Sequence, residues 1–76
     1  MTLNDCNKCK NIKVKNITGG LLSTKRLSDM GILPGEIIEL IKNDKKGPII
    51  IKLKGTSIAL GRGIALKIEV EHNEKL

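Results

Sequence analysis

No phenylalanine, tyrosine or tryptophan occurs among the 76 residues of this chain. Two classes of partner lose ground at once. Proline-rich peptides are gripped by aromatic-lined grooves, and single-stranded nucleic acids are commonly held by stacking bases on aromatic platforms. Arginine is nearly as scarce: of 14 Lys plus Arg, only Arg26 and Arg62 are arginines. A formal net charge of +6 would by itself suggest an anionic partner. Lysine, however, is a hydrated point charge, whereas bidentate phosphate recognition needs the planar guanidinium. The lysines are also spread along the chain, so solvated strand faces are their expected use. A basic nucleic-acid-binding small barrel stays open as an alternative, while no nucleic acid is the expectation.

Histidine appears once, as His72, and the carboxylates are scattered through turns and strand edges. That leaves little basis for a Ser-His pair or for a general acid tuned by an apolar pocket. No enzyme and no cofactor are therefore expected. Gly61-Arg62-Gly63-Ile64-Ala65-Leu66 begins a dinucleotide fingerprint but ends in leucine, without a βαβ unit around it. A tight turn between strands is the simpler reading, with Arg62 an exposed guanidinium at a rigid corner, either for a partner carboxylate or for solvent. Met1 to Lys15 lacks the apolar run of about 7–15 residues that marks a secretory signal. Nor does any stretch reach the roughly 20 apolar residues of a membrane span. The expectation is a cytoplasmic protein with no direct membrane insertion.

What the chain does have is aliphatic. Hydrophobic residues make up 39% of it, so Ile, Leu and Val must fill the core of one small domain, which buries roughly 60% of its unfolded surface. Residues 1–11 are polar and read as a poorly ordered lead-in, 12–71 as the folded domain and 72–76 as a tail. Ile12 and Val14 alternate with Lys13 and Lys15, the period-two pattern of a half-buried strand. After Gly19-Gly20 a short helix is expected, with Ser23 as N-cap, Leu22 stapled to Leu27, and Leu27 and Met30 facing the core. Gly31 stands where a left-handed C-cap belongs, and Leu33-Pro34-Gly35-Glu36 suits a type II turn.

The remainder alternates strand and turn. Ile37, Ile38, Leu40 and Ile41 are too apolar for a one-sided strand, which predicts burial on both faces. Ile49, Ile51 and Leu53 form one face of the next strand, Pro48 opening it at a tolerated place. Gly55-Thr56 leads to Ile58 and Leu60, and a last strand carries Leu66, Ile68 and Val70. About five short strands with glycine-marked turns and one brief helix predict a mainly β fold, a small closed antiparallel barrel. Closure would also remove edge strands, a hazard in an isoleucine-rich chain.

In order and spacing, three segments resemble the FeoA family: "RLSDMGILPGE" from Arg26 to Glu36, "KGPIIIKLKGTSIALGRG" from Lys46 to Gly63, and "IALKIEV" from Ile64 to Val70. The likeness spans Val14 to Val70, and the lead-in lies outside it. The resemblance implies a Src-homology-3-like barrel and a cytoplasmic accessory of ferrous iron uptake. It further implies docking on the cytosolic side of FeoB, a membrane permease with a GTP-binding domain. A chain with neither a phosphate-binding loop nor a catalytic cluster acts by contact. Lys25, Arg26, Asp29, Ile32 and Leu33, on the helix and the turn after it, are the candidate docking residues, with Arg62 beside them. Core packing is the competing use for Ile32 and Leu33.

Cys6-Asn7-Lys8-Cys9 is a CxxC, which in an intracellular protein suggests metal ligation more than a structural disulfide. A four-coordinate site needs about two more ligands. His72, with Glu71 or Glu74, could supply them if the termini meet, and a metal-binding module is the second alternative. Two reduced thiols on a mobile tail are the competing reading.

Overall fold

Alternation of Ile, Leu and Val with Lys builds most of the architecture. The computed structural model describes residues 1–7, 11–44 and 46–73. Its strands are β1 (Ile12–Ile17), β2 (Ile37–Lys42), β3 (Ile49–Leu53), β4 (Thr56–Leu60) and β5 (Ile68–His72), with helices α1 (Gly20–Asp29) and α2 (Arg62–Ala65). All pairings are antiparallel, in the order β4-β3-β2-β1-β5. Ile12 and Val14 on β1, Ile38 and Leu40 on β2, and Ile49 and Ile51 on β3 all point to one buried side. Among the described residues no polar or charged side chain is buried in that core. Each fully buried Ile or Leu contributes roughly 1.5–3 kcal/mol.

The sheet does not close. A closed barrel would pair β4 with β5, but the two are joined through α2 and are not neighbours in the sheet. The far edge of β5 is taken by the chain's first residues instead. The amide of Val70 donates to the carbonyl of Met1 at 2.8 Å, and Thr2 bridges to Glu69. The expectation of closure is corrected to an open, five-stranded antiparallel sheet.

The same contacts correct the expected lead-in for residues 1–7. Leu3–Asp5 forms a 3-10 turn in which Asp5 accepts a hydrogen bond from the amide of Thr2 at 3.0 Å. Leu3 and Cys6 sit inside the core. Burying an aliphatic side chain of this size repays ordering a few residues of backbone at about 1–2 kcal/mol each only when hydrogen bonds help, and here they do. Lys8, Cys9 and Lys10 lie outside the described residues.

Some local expectations hold and others are corrected, among them Leu66, which caps α2 and is exposed where the last strand was expected to carry it. The turn expected at Gly55-Thr56 is corrected by one residue: Lys54 and Gly55 both have positive φ, 49° and 83°, the two-residue turn that matches strand twist between Leu53 and Thr56, and Thr56 already opens β4. Glu36 donates to the carbonyl of Leu33 at 3.1 Å across Pro34-Gly35, with φ 97° at Gly35 as a type II turn requires. Strand β2, in contrast, is one-sided: Ile37 and Ile41 are exposed, since no described element packs on the outer face of the sheet there. Helix α1 begins at Gly20 and not after Ser23, which leaves Leu22 outside and the proposed staple unformed.

Candidate interaction surface

Helix α1 turns an unusual face to its own core. Positions spaced by three and four residues back from Leu27 are Thr24, Ser23 and Gly20, all small. Leu27 is therefore the helix's one buried residue. Thr24 returns its hydroxyl to the carbonyl of Gly20 at 3.0 Å. The other leucines, Leu21 and Leu22, are 83% and 85% exposed. Met30, expected inside, is also largely outside. Lys25, Arg26 and Asp29 are exposed on the same helix, and Leu33 is 43% exposed in the turn beyond.

Ile32 does not share that surface. It is fully buried, because the cap that ends the helix folds it back onto Leu27. Its place among the docking residues is corrected to core packing. Arg62 is likewise drawn inward. Its Nη1 donates to Asn43 Oδ1 at 3.0 Å, while Asn43 Nδ2 donates to the carbonyls of Asn4 at 3.1 Å and Cys6 at 2.6 Å. Nε and Nη2 of Arg62 are buried as well. The exposed corner guanidinium is thus corrected to a half-buried one that ties α2 to the amino-terminal turn. It became so because Gly61-Arg62-Gly63 opens a helical turn in place of a bare bend.

Four residues outside the expected docking set, Leu22, Ser23, Ile64 and Lys67, complete the surface with Arg26. Leu22, Ser23, Arg26, Ile64 and Lys67 line a shallow groove of about 310 Å³. Lys67 lies along its side: Nζ donates to Ser23 Oγ at 3.4 Å, and its carbonyl accepts from the amide and hydroxyl of Thr18 at 2.7 and 3.3 Å. A Cβ at Gly19 would fall 2.5 Å from Cδ of Lys67, so the glycine makes room for that stem. Arg26 forms no ion pair among the described residues. Leu22 and Ile64 give the groove an apolar part, Arg26 and Lys67 give it two cations, and no carboxylate lines it. The sequence signal for it was Leu21-Leu22 directly after Gly19-Gly20, two large apolar residues in a first helical turn whose later inward positions are small.

The thiol of Cys6 points to the carbonyl of Thr2 at 3.9 Å within the core, and His72 is exposed at the end of β5 opposite Ile12. Cys9 and Glu74 lie outside the described residues. Among the described residues no three His, Cys, Asp or Glu side chains gather as a metal site would need. No described helix is long and apolar enough to cross a membrane.

The sequence model of the FeoA domain matches residues 1–72. The chain belongs to the FeoA family. A Methanocaldococcus jannaschii protein named as an Fe(2+) transport protein A is 46% identical over 69 residues, covering 83% of each chain. Among solved structures, the crystal structure of an iron uptake regulatory protein, FeoA, superposes with a TM-score of 0.83 at 32% identity over 93% of both chains. The manganese regulator SloR shares the fold, with a TM-score of 0.86 at 18% identity over 96% of this chain and 34% of that one. FeoA proteins are accessories of ferrous iron transport and not enzymes. The family match begins at residue 1, so the amino-terminal turn set apart in the sequence belongs to the FeoA domain.

Proposed function

We propose that this FeoA-family chain is a cytoplasmic, non-catalytic accessory of ferrous iron uptake that docks on the cytosolic side of a FeoB-like GTP-binding permease. Helix α1 is the docking element, presenting Leu21, Leu22, Lys25 and Arg26, with Asp29 and Leu33 at the far end. The observation that supports this most is the exposure of Leu21 and Leu22 beside Arg26 and Lys67. Adjacent large apolar side chains held out on a rigid helix, flanked by charge, are the composition of an interface core with its polar rim. Family membership supports the identity of the partner.

Calorimetric titration of the purified chain into the cytosolic part of the permease, with and without guanine nucleotide, tests the reading. Binding that is lost in the Leu22→Asp variant supports it. No binding of the parent chain under any nucleotide condition would sink it.

A further inference from the structure

The outer edge of β4 is the last strand position of the sheet among the described residues. The hairpin fixes which backbone groups it offers. A two-residue turn of this type closes on a hydrogen-bonded pair, here Leu53 and Thr56, and hydrogen-bonded and non-hydrogen-bonded pairs then alternate. Ile51 with Ile58 and Ile49 with Leu60 are therefore bonded pairs, while Ser57 and Ala59 turn their N–H and C=O groups away from β3. Among the described residues no strand lies beyond β4, and no backbone hydrogen bond reaches Ser57 or Ala59 from another element.

Sheet edges are normally blunted by lysine, proline, a bulge or a covering segment. The opposite edge of this sheet follows that rule, with Met1 and Thr2 laid along β5. Strand β4 reads Thr-Ser-Ile-Ala-Leu, with no charge and no proline, and its pairing with β3 runs without a register shift. Ser57 and Ala59, the residues whose side chains stand on the outer face of this edge, are small and exposed.

We propose that this edge pairs with β4 of a second copy of the chain, antiparallel about a two-fold axis at Ile58. The register is dictated by the outward groups. Ser57 lies opposite Ala59 of the second copy and Ala59 opposite its Ser57, which makes two reciprocal pairs of N–H···O=C bonds. Ile58 meets Ile58 across the axis as the close, non-hydrogen-bonded pair, a favourable contact between β-branched side chains. A head-to-tail chain of copies through β4 and β5 is disfavoured, because Met1 and Thr2 already occupy the β5 edge. An acidic partner strand is no better a fit, since β4 offers it no cation. Because each copy carries a formal charge of +6, the pairing strengthens as salt screens the repulsion between copies.

Sedimentation velocity over a concentration series at low and high salt, with amide hydrogen exchange on the same samples, tests the proposal. The expected result is a monomer–dimer equilibrium shifted to dimer by salt, with the Ser57 and Ala59 amides gaining protection as dimer forms. Ala59→Pro removes an outward N–H that the monomer does not use, so the hairpin should fold. It should weaken dimerisation about tenfold or more through two lost hydrogen bonds per dimer. Ser57→Lys, which leaves the backbone intact and sets charge beside charge, should weaken it too. A parent chain that stays monomeric throughout overturns the proposal. So does a dimer unaffected by both variants, or protection of these amides that appears only when a different protein is added.

Discussion

The amide of Ile32 donates to the carbonyl of Leu27 at 2.9 Å, and one residue earlier the amide of Gly31 donates to Ser28 at 2.9 Å. Together these bonds are the double closure of a helix by a left-handed residue, accompanied by apolar contact between its third-last and second-following positions. Both Leu27 and Ile32 are fully buried. The pair joins the helix to the sheet and aims the exposed leucines outward.

That closure depends on φ +84° at Gly31. A Cβ there would only touch Cδ2 of Leu53 at 3.4 Å, so the penalty for a side chain lies in the backbone and not in crowding. Gly31→Val should cost about 1–2 kcal/mol or somewhat more for the branched side chain. In a domain of this size the melting temperature should fall by about 5–15 °C. Gly31→Asn, which tolerates the left-handed region, should lose less. Equal melting temperatures for parent and valine variants would refute the assignment.

Cys6 is a core residue, so its replacement is a stability experiment before it is a metal experiment. Cys6→Ser buries a hydroxyl and should destabilise by about 1–3 kcal/mol in a urea titration. Zinc or ferrous iron should leave the parent's midpoint unchanged. A metal-dependent rise in the parent, absent from Cys6→Ser and His72→Ala, would instead support ligation by Cys6 with Cys9 and His72.

Asn43 holds three groups at once, the carbonyls of Asn4 and Cys6 and the Arg62 guanidinium. Asn43→Ala removes both donors and the acceptor, and a loss of about 2–3 kcal/mol is expected. The more specific readout is hydrogen exchange: protection should drop at Cys6 and Val70, whose amides depend on the docked amino-terminal turn. Uniform loss across all strands would show that the turn has no local stability of its own.

Docking and folding should separate by residue. Leu22 and Arg26 are exposed, so Leu22→Asp and Arg26→Ala should leave the melting temperature unchanged and weaken permease binding by roughly 2 kcal/mol if each is a hot spot. Arg62→Ala should do the reverse, lowering stability while the folded fraction binds normally. Reversal of that pattern would return Arg62 to the interface.

Much of the fold was legible because it is local. The alternation in β1 and β3 and the turns at Gly31 and Pro34-Gly35 each depend on a few consecutive residues whose periodicity or φ preference is written in their identity. The turn before β4 was legible only to within a residue, expected at Gly55-Thr56 and found at Lys54-Gly55. The candidate site was legible only in outline. Lys25, Arg26, Asp29 and Leu33 were placed correctly on an exposed helix and turn, whereas Ile32 was not, since a residue one step past a left-handed cap can point either way until its packing partner is known.

The sequence by itself determined the mainly β character, the aliphatic core, the helix cap and membership of the FeoA family, which its ordered motifs carry. Tertiary structure alone decided what fills the edge of β5, where Arg62 spends its guanidinium, and that Leu21 and Leu22 remain outside. Each of those outcomes sets residues far apart in the chain against one another: Met1 against Val70, Asn43 against Arg62, Gly19 against Lys67. Local propensity is silent on such choices, because burial and hydrogen-bond satisfaction are settled only when distant segments compete for the same face or edge.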